Sequence, residues 1–245
     1  MTIDNPEAKN ACTGDMWVAI GASFRDLAHS GTRAIILTGA GGEFCAGANL
    51  SGGGGASPEA SDHILHAMRV LGDVVLAVHD CPVPVVAKVD GVCVGAGLGL
   101  ALATDMIWCS ERARFSAIFA KRGLSLDFGT SWLLRQRVGV HKAKEITFTG
   151  RMLSAPEALA LGMVNAVVPT DQLDAATGQI ADAIAAGPPL ALSMSKRELD
   201  NAAQTSLAQA LEAEALAQSL NAQTDDLKEA LMAYVERRPA NFAGS

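Results

Sequence analysis

The sequence predicts an α/β fold, and three observations carry that reading. Apolar runs of strand length recur along the 245 residues, and several are followed by a loop of small residues and then by helical spacing. Two such loops, at residues 43–50 and 90–99, have the same strand–loop–helix form. The apolar fraction is 49% with only 4% aromatic, so a real core can form and must be aliphatic and alanine-rich.

The elements follow in chain order. Thr2, Ile3 and Asp4 alternate like the end of a strand. Residues 15–29 have helical spacing, with Trp17, Val18, Ile20, Phe24 and Leu27 on one face. Residues 34–38 form a buried-strand run that leads into the first loop. Residues 51–56 are glycine-rich and read as mobile; 58–80 read as a long helix stopped by Cys81-Pro82. Residues 83–89 are the next strand, followed by the second loop and a helix over 99–103. Strand-like runs at 105–109 and 114–115 precede a loop, 123–130, that carries Asp127. Helices are expected over 132–138, 141–149 and 155–161, then a short strand at 164–168. From Asp171 the chain is alanine-rich and amphipathic, with breaks at Gly187-Pro188-Pro189 and near Thr224. No linker of domain-boundary quality interrupts it, so residues 1–170 and 171–245 read as core and helical region of one continuous domain. Leu207, Leu211, Leu216, Leu220, Leu227 and Leu231 put apolar surface on the last helices, to cover either their own core or another subunit.

The net charge of −7 argues against a nucleic-acid or anionic-membrane partner. Cysteines 12, 45, 81, 93 and 109 are odd in number, contain no CxxC pair and read as reduced thiols. With no signal pattern and no apolar run near the ~20 residues that span a bilayer, the expectation is a soluble cytoplasmic protein.

The chemistry centres on the two loops. Small residues let a ligand approach main-chain N–H groups, and a helix starting after a parallel strand aims its free N–H groups at the sheet's carboxyl edge. Two such loops converging give two donors for one carbonyl oxygen as it becomes an oxyanion; the candidate donors are the N–H groups of Ala48 and Ala96. A dinucleotide turn at Gly95-Ala96-Gly97 is the rival reading. It lacks the third glycine, where Leu100 stands, and Glu111 comes too soon for the usual acid spacing of ~20 residues. His63 and His66 sit three apart with no third ligand nearby, so no metal is expected, and Ser193-Met194-Ser195-Lys196 has none of the companions of a serine–lysine nucleophile.

The residues 44–50 (FCAGANL), 81–85 (CPVPV), 91–97 (GVCVGAG) and Asp105 resemble the enoyl-CoA hydratase/isomerase (crotonase) family. Residues 5–11, 162–165 and 237–242 extend the resemblance from about Ile3 to Phe242. The resemblance implies a spiral of ββα units with a C-terminal helical trimerisation region, in a homotrimer or dimer of trimers. It implies an acyl-CoA substrate, with coenzyme A as part of that substrate and no separate cofactor. Ala48 and Ala96 take the oxyanion positions. Lys9, Ala46, Gly47, Leu50, Gly97 and Phe119 fall at substrate-binding positions, and Arg237 and Arg238 are the basic residues at the C-terminal end.

The departures from the family pattern decide the chemistry. The two glutamates that hydratases of the family use as acid and base are replaced by Gly99 and Phe119. The stretch around Asp127 resembles the 2-(1,2-epoxyphenyl)acetyl-CoA isomerase branch and relatives that move a 3-enoyl double bond, where the equivalent aspartate is the acid/base. Dehalogenases of the family also need a histidine, and Val70 stands at its position. Asp127 is therefore expected to shuttle the proton, with Phe119, Leu126 and Phe128 desolvating it; the plain alternative is a cap on the helix starting near Gly129. Double-bond isomerisation of an enoyl-CoA is the expected reaction, ahead of 2-enoyl-CoA hydration and of non-catalytic acyl-CoA binding.

Overall fold

The computed structural model describes residues 1–49 and 63–245. Leu50, the glycine-rich run 51–56 and the start expected for a helix at 58 lie outside the described residues. Two sheets organise the chain. The larger is parallel, in the order β1 (Thr2–Ile3), β2 (Ile35–Gly39), β3 (Val85–Val89), β5 (Met106–Ser110), β8 (Ala166–Val168). The smaller contains β4 (Val92–Val94), β6 (Arg114–Ser116) and β7 (Leu153–Ser154), parallel between β4 and β6 and antiparallel between β6 and β7.

The chain alternates between the sheets. β3 turns at Gly91 into β4 and then α3 (Ala96–Leu102). β5 likewise passes to β6, to a 3-10 turn at Ile118–Arg122, and on to α4 (Thr130–Thr149), which is broken at Gly139. Single-residue bridges Cys12↔Ala48 and Cys45↔Cys93 extend the same layering to the earlier units. This is the ββα spiral expected. β3 is the central strand between β2 and β5, with α6 packed on it, and all its residues but Lys88 are buried. The core is rich in leucine and valine, and the few aromatic residues are concentrated there: Trp17, Phe24, Phe44 and Phe115 are fully buried.

Several expectations shift. α1 (Gly14–Leu27) buries Trp17, Ile20, Gly21 and Phe24, whereas Val18 is exposed. α2 is Ile64–His79, with His63 as its N-cap outside the helical turn, so His63 and His66 do not share a helix face. The second loop is not all loop: it contains β4, and its helix starts at Ala96 rather than 99. α5 (Ala155–Ala160) and α6 (Leu173–Ala185) follow, and α6 packs on β3 and β5 with Lys88 paired to Asp174. α7 (Pro189–Ala202) docks through Lys196, which bonds Asp105 Oδ2 at 3.0 Å. α8 (Leu207–Asn221) is capped by Ser206 with Gln209 and buries none of its residues, so it does not cover the chain's own core. α9 (Asp225–Glu236) closes the chain.

Candidate active site

The first loop is built from three anchors. Asn10, in a left-handed conformation (φ 58°), is fully buried and donates from Nδ2 to the carbonyls of Ala40 and Glu43. The Ala46 N–H donates to Lys9 O at 3.0 Å and the Asn49 N–H to Cys12 O at 2.9 Å. The Gly47 N–H is taken by Cys45 Sγ at 3.4 Å. Ala48 is the exception: among the described residues its N–H meets no acceptor.

The second loop meets the first. Cys45 N donates to Val92 O and Val94 N to Cys45 O, a parallel pairing that carries both loops in register. The Gly95 N–H is held by Ser116 O at 3.0 Å, and the next N–H, that of Ala96, has no acceptor among the described residues. The loops touch at two glycines. A Cβ on Gly47, which has φ 90°, would lie 3.3 Å from Ala96 N, and one on Gly97 would lie 2.4 Å from Cys45 O. Only a residue without a side chain permits this approach. Lys9, Ala46, Gly47, Ala48, Ala96 and Gly97 are thereby brought together, with the Lys9 ammonium 3.3 Å from Glu43. The structure thus presents two unpaired backbone donors on adjoining loops.

The carboxylate comes from the loop before α4. Position 99 lies one turn along α3 from Ala96, and a Cβ there would come 2.5 Å from Phe128 O and 2.9 Å from Thr130 Oγ1. Residues 127–130 thus pack against the place from which the missing glutamate would project. Phe128 is held in a left-handed conformation (φ 51°), with its ring 4.5 Å from that of Trp17, centroid to centroid. Asp127 Oδ1 is buried with no hydrogen-bond partner, and burial alone raises the carboxyl pKa to about 6. The capping role is not what the structure has: Gly129 caps α4 without any side-chain bond, and only the backbone oxygen of Asp127 accepts, from Thr130 N. Phe119, at the second missing glutamate, is buried.

Arg237 and Arg238 sit apart, at the end of α9. Arg238 forks onto Glu229 at 2.5 and 2.9 Å and also bonds Glu236. A cavity of about 810 Å³ between α2, α4 and α7 is lined by Trp132, Leu133 and Lys196 and does not include Ala48, Ala96 or Asp127. Its size does not make it the reacting centre. Asn10, which anchors the first loop, is not singled out by the sequence. Asn10 lies within a stretch that carries the resemblance, but its bonds to residues 30 and 33 positions away have no local signature.

The sequence profile of enoyl-CoA hydratase/isomerase matches residues 1–245. The chain belongs to the enoyl-CoA hydratase/isomerase family. Enzymatic activity of that general type on acyl-CoA thioesters follows. It is 32% identical to a probable enoyl-CoA hydratase of Rhodobacter capsulatus, over 100% of this chain and 93% of the relative. It is 30% identical to the 1,2-epoxyphenylacetyl-CoA isomerase of Escherichia coli, over 100% and 94%. An enoyl-CoA hydratase structure from Bacillus anthracis superimposes with a TM-score of 0.92 at 29% identity, covering 100% of this chain and 94% of the other. Family members of both reaction types are thus similar to this chain at about the same level. Among its described residues no helix is long and apolar enough to cross a membrane.

Proposed function

We propose that the protein isomerises the double bond of an enoyl-CoA, with Asp127 as the single acid/base. The observation that carries this is the pairing of a buried, unpartnered carboxylate with glycine and phenylalanine at both glutamate positions. The thioester oxygen sits on the Ala48 and Ala96 amides. Asp127 takes a proton from C2 of a 3-enoyl-CoA, and the C–H electron pair moves into an enolate conjugated with the double bond. The same carboxylic acid returns the proton at C4, leaving the double bond at C2. Each amide donor is worth roughly 3 kcal/mol of barrier, because its charge is already aimed where the oxyanion develops. A carboxyl group near pH 6 is a stronger base than an ordinary aspartate and is still ionised at neutral pH.

On this reading a coenzyme A path begins at Lys9, Ala46, Gly47 and Gly97, beside the two amide donors, and Arg237 and Arg238 stand apart from it. The bare face of α8, with Leu207 and Leu216 exposed, supports a homotrimer or dimer of trimers. The test is Asp127→Asn assayed with 3-enoyl-CoA and 2-enoyl-CoA, products identified by chromatography. Loss of isomerised product supports the reading. Wild-type turnover by the variant refutes it, and a 3-hydroxyacyl-CoA product from the wild type would put hydration in its place.

A further inference from the structure

We infer that Thr130 is a positioning residue of this site: its hydroxyl and the Asp127 carboxylate together hold one oxygen atom, from a water or from the acyl chain, beside the exchanging carbon. The inference deepens the proposed isomerase reading and rests on it. Thr130 is fully buried, and Oγ1 has no partner among the described residues. Other threonines in this chain show what a helical hydroxyl normally does. Thr149 donates to Glu145 O at 2.7 Å and Thr177 to Leu173 O at 2.8 Å, each four residues back. Thr130 opens α4, so no helical carbonyl lies four residues before it, and its buried hydroxyl needs a partner from elsewhere.

The unpaired hydroxyl is not isolated. Its own N–H donates to Asp127 O at 3.0 Å, closing a turn that joins the two residues. Asp127 Oδ1 and Trp17 Nε1 are also buried without partners, and Trp17 packs on Phe128, which lies between Asp127 and Thr130 in sequence. Three orphaned polar atoms therefore belong to one loop and the ring packed on it. Buried polar groups are generally paired, and the two other orphans among the described residues, Arg33 Nε and Glu198 Oε1, lie outside this loop, so three orphans on one loop and its packed ring point to a polar guest. The hydroxyl also lies 2.9 Å from where a Cβ on residue 99 would be, in the space from which the family's carboxylate acid would project. A threonine hydroxyl offers one donor and two acceptor sites, and a carboxylate only accepts. A water or alcohol oxygen satisfies both at once.

The test compares Thr130→Val, Thr130→Ala and Thr130→Ser with wild type and Asp127→Asn. The substrates are a plain 3-enoyl-CoA and one bearing a hydroxyl on its acyl chain. Valine and alanine are expected to lower kcat/KM about tenfold, the scale of one lost hydrogen bond, while serine retains it. If the guest is water, the loss falls on both substrates and the acid limb of the pH profile moves up, because a donor to the carboxylate is gone. If the guest is a substrate oxygen, the loss falls on the hydroxylated substrate alone. Thermal melts are expected to be unchanged or raised in the valine variant, the opposite of a purely structural role. The inference is overturned if valine and alanine both keep wild-type kcat, KM and pH profile on both substrates while Asp127→Asn is inactive. Full turnover by Asp127→Asn overturns the isomerase reading beneath it as well.

Discussion

Replacing Asp127 with asparagine has a consequence for stability as well as for turnover, and its size follows from the site. Burial raises this carboxyl group from 3.8 to about 6. At about 1.36 kcal/mol per pH unit, the ionised form costs the folded state up to about 3 kcal/mol. The group keeps some contact with solvent, and screening brings this to about 1–2 kcal/mol. The sign follows from where the proton binds more tightly. The folded protein holds this proton better than the unfolded chain, so nothing is lost below the unfolded value, and stability falls as pH rises from about 4 through 6. Asparagine carries no charge and escapes that loss. Its advantage over wild type should therefore grow between pH 4 and pH 7.5 by about 2–8 °C in Tm, at roughly 2–4 °C per kcal/mol for a chain of this size. Any fixed cost of the amide group cancels in the comparison between pH values. Differential scanning fluorimetry across that range is the assay. A Tm difference that does not change with pH would refute the burial argument.

Three further outcomes are expected. The kcat/KM of the wild type should rise with unit slope through about pH 6 and level above it, since the base must be ionised; a profile flat from pH 5 to 8 contradicts a single carboxylate of this kind. Gly99→Ala should cost about 1–3 kcal/mol in urea unfolding and at least tenfold in kcat, because a Cβ 2.5 Å from Phe128 O displaces the loop that carries Asp127. Lys196→Met should destabilise by about 3 kcal/mol, since it strands the largely buried Asp105 carboxylate, and adding Asp105→Asn should recover part of that loss.

Most of the frame is legible in the chain because the signals are local. The valine-rich run of β3 and the small residues of the two loops announce a parallel strand feeding a close backbone approach. β4 and β7 are not legible: three and two residues long, they exist because β6 pairs with both, and pairing at that sequence distance leaves no periodicity. Val18 has the helical spacing of a core residue yet faces solvent, since neighbouring Trp17 already fills the inward face. His63 looks like a helix residue but supplies the cap, accepting the Leu65 N–H. At the candidate site, residue types pointed to the two amides and to Asp127. What decides between a cap and a free carboxylate is the left-handed Gly129 and the buried environment of the Asp127 side chain, and both are tertiary facts. Thr130 looks like an ordinary helix-start residue until its burial and unpaired hydroxyl are seen.

The most direct test is a crystal structure of the protein with a non-isomerisable acyl-CoA bound. The thioester oxygen is expected about 3 Å from both the Ala48 and Ala96 nitrogens, with an Asp127 carboxylate oxygen facing C2. An acyl carbonyl lying away from those two amides, or an Asp127 side chain turned from the acyl group, would contradict the account.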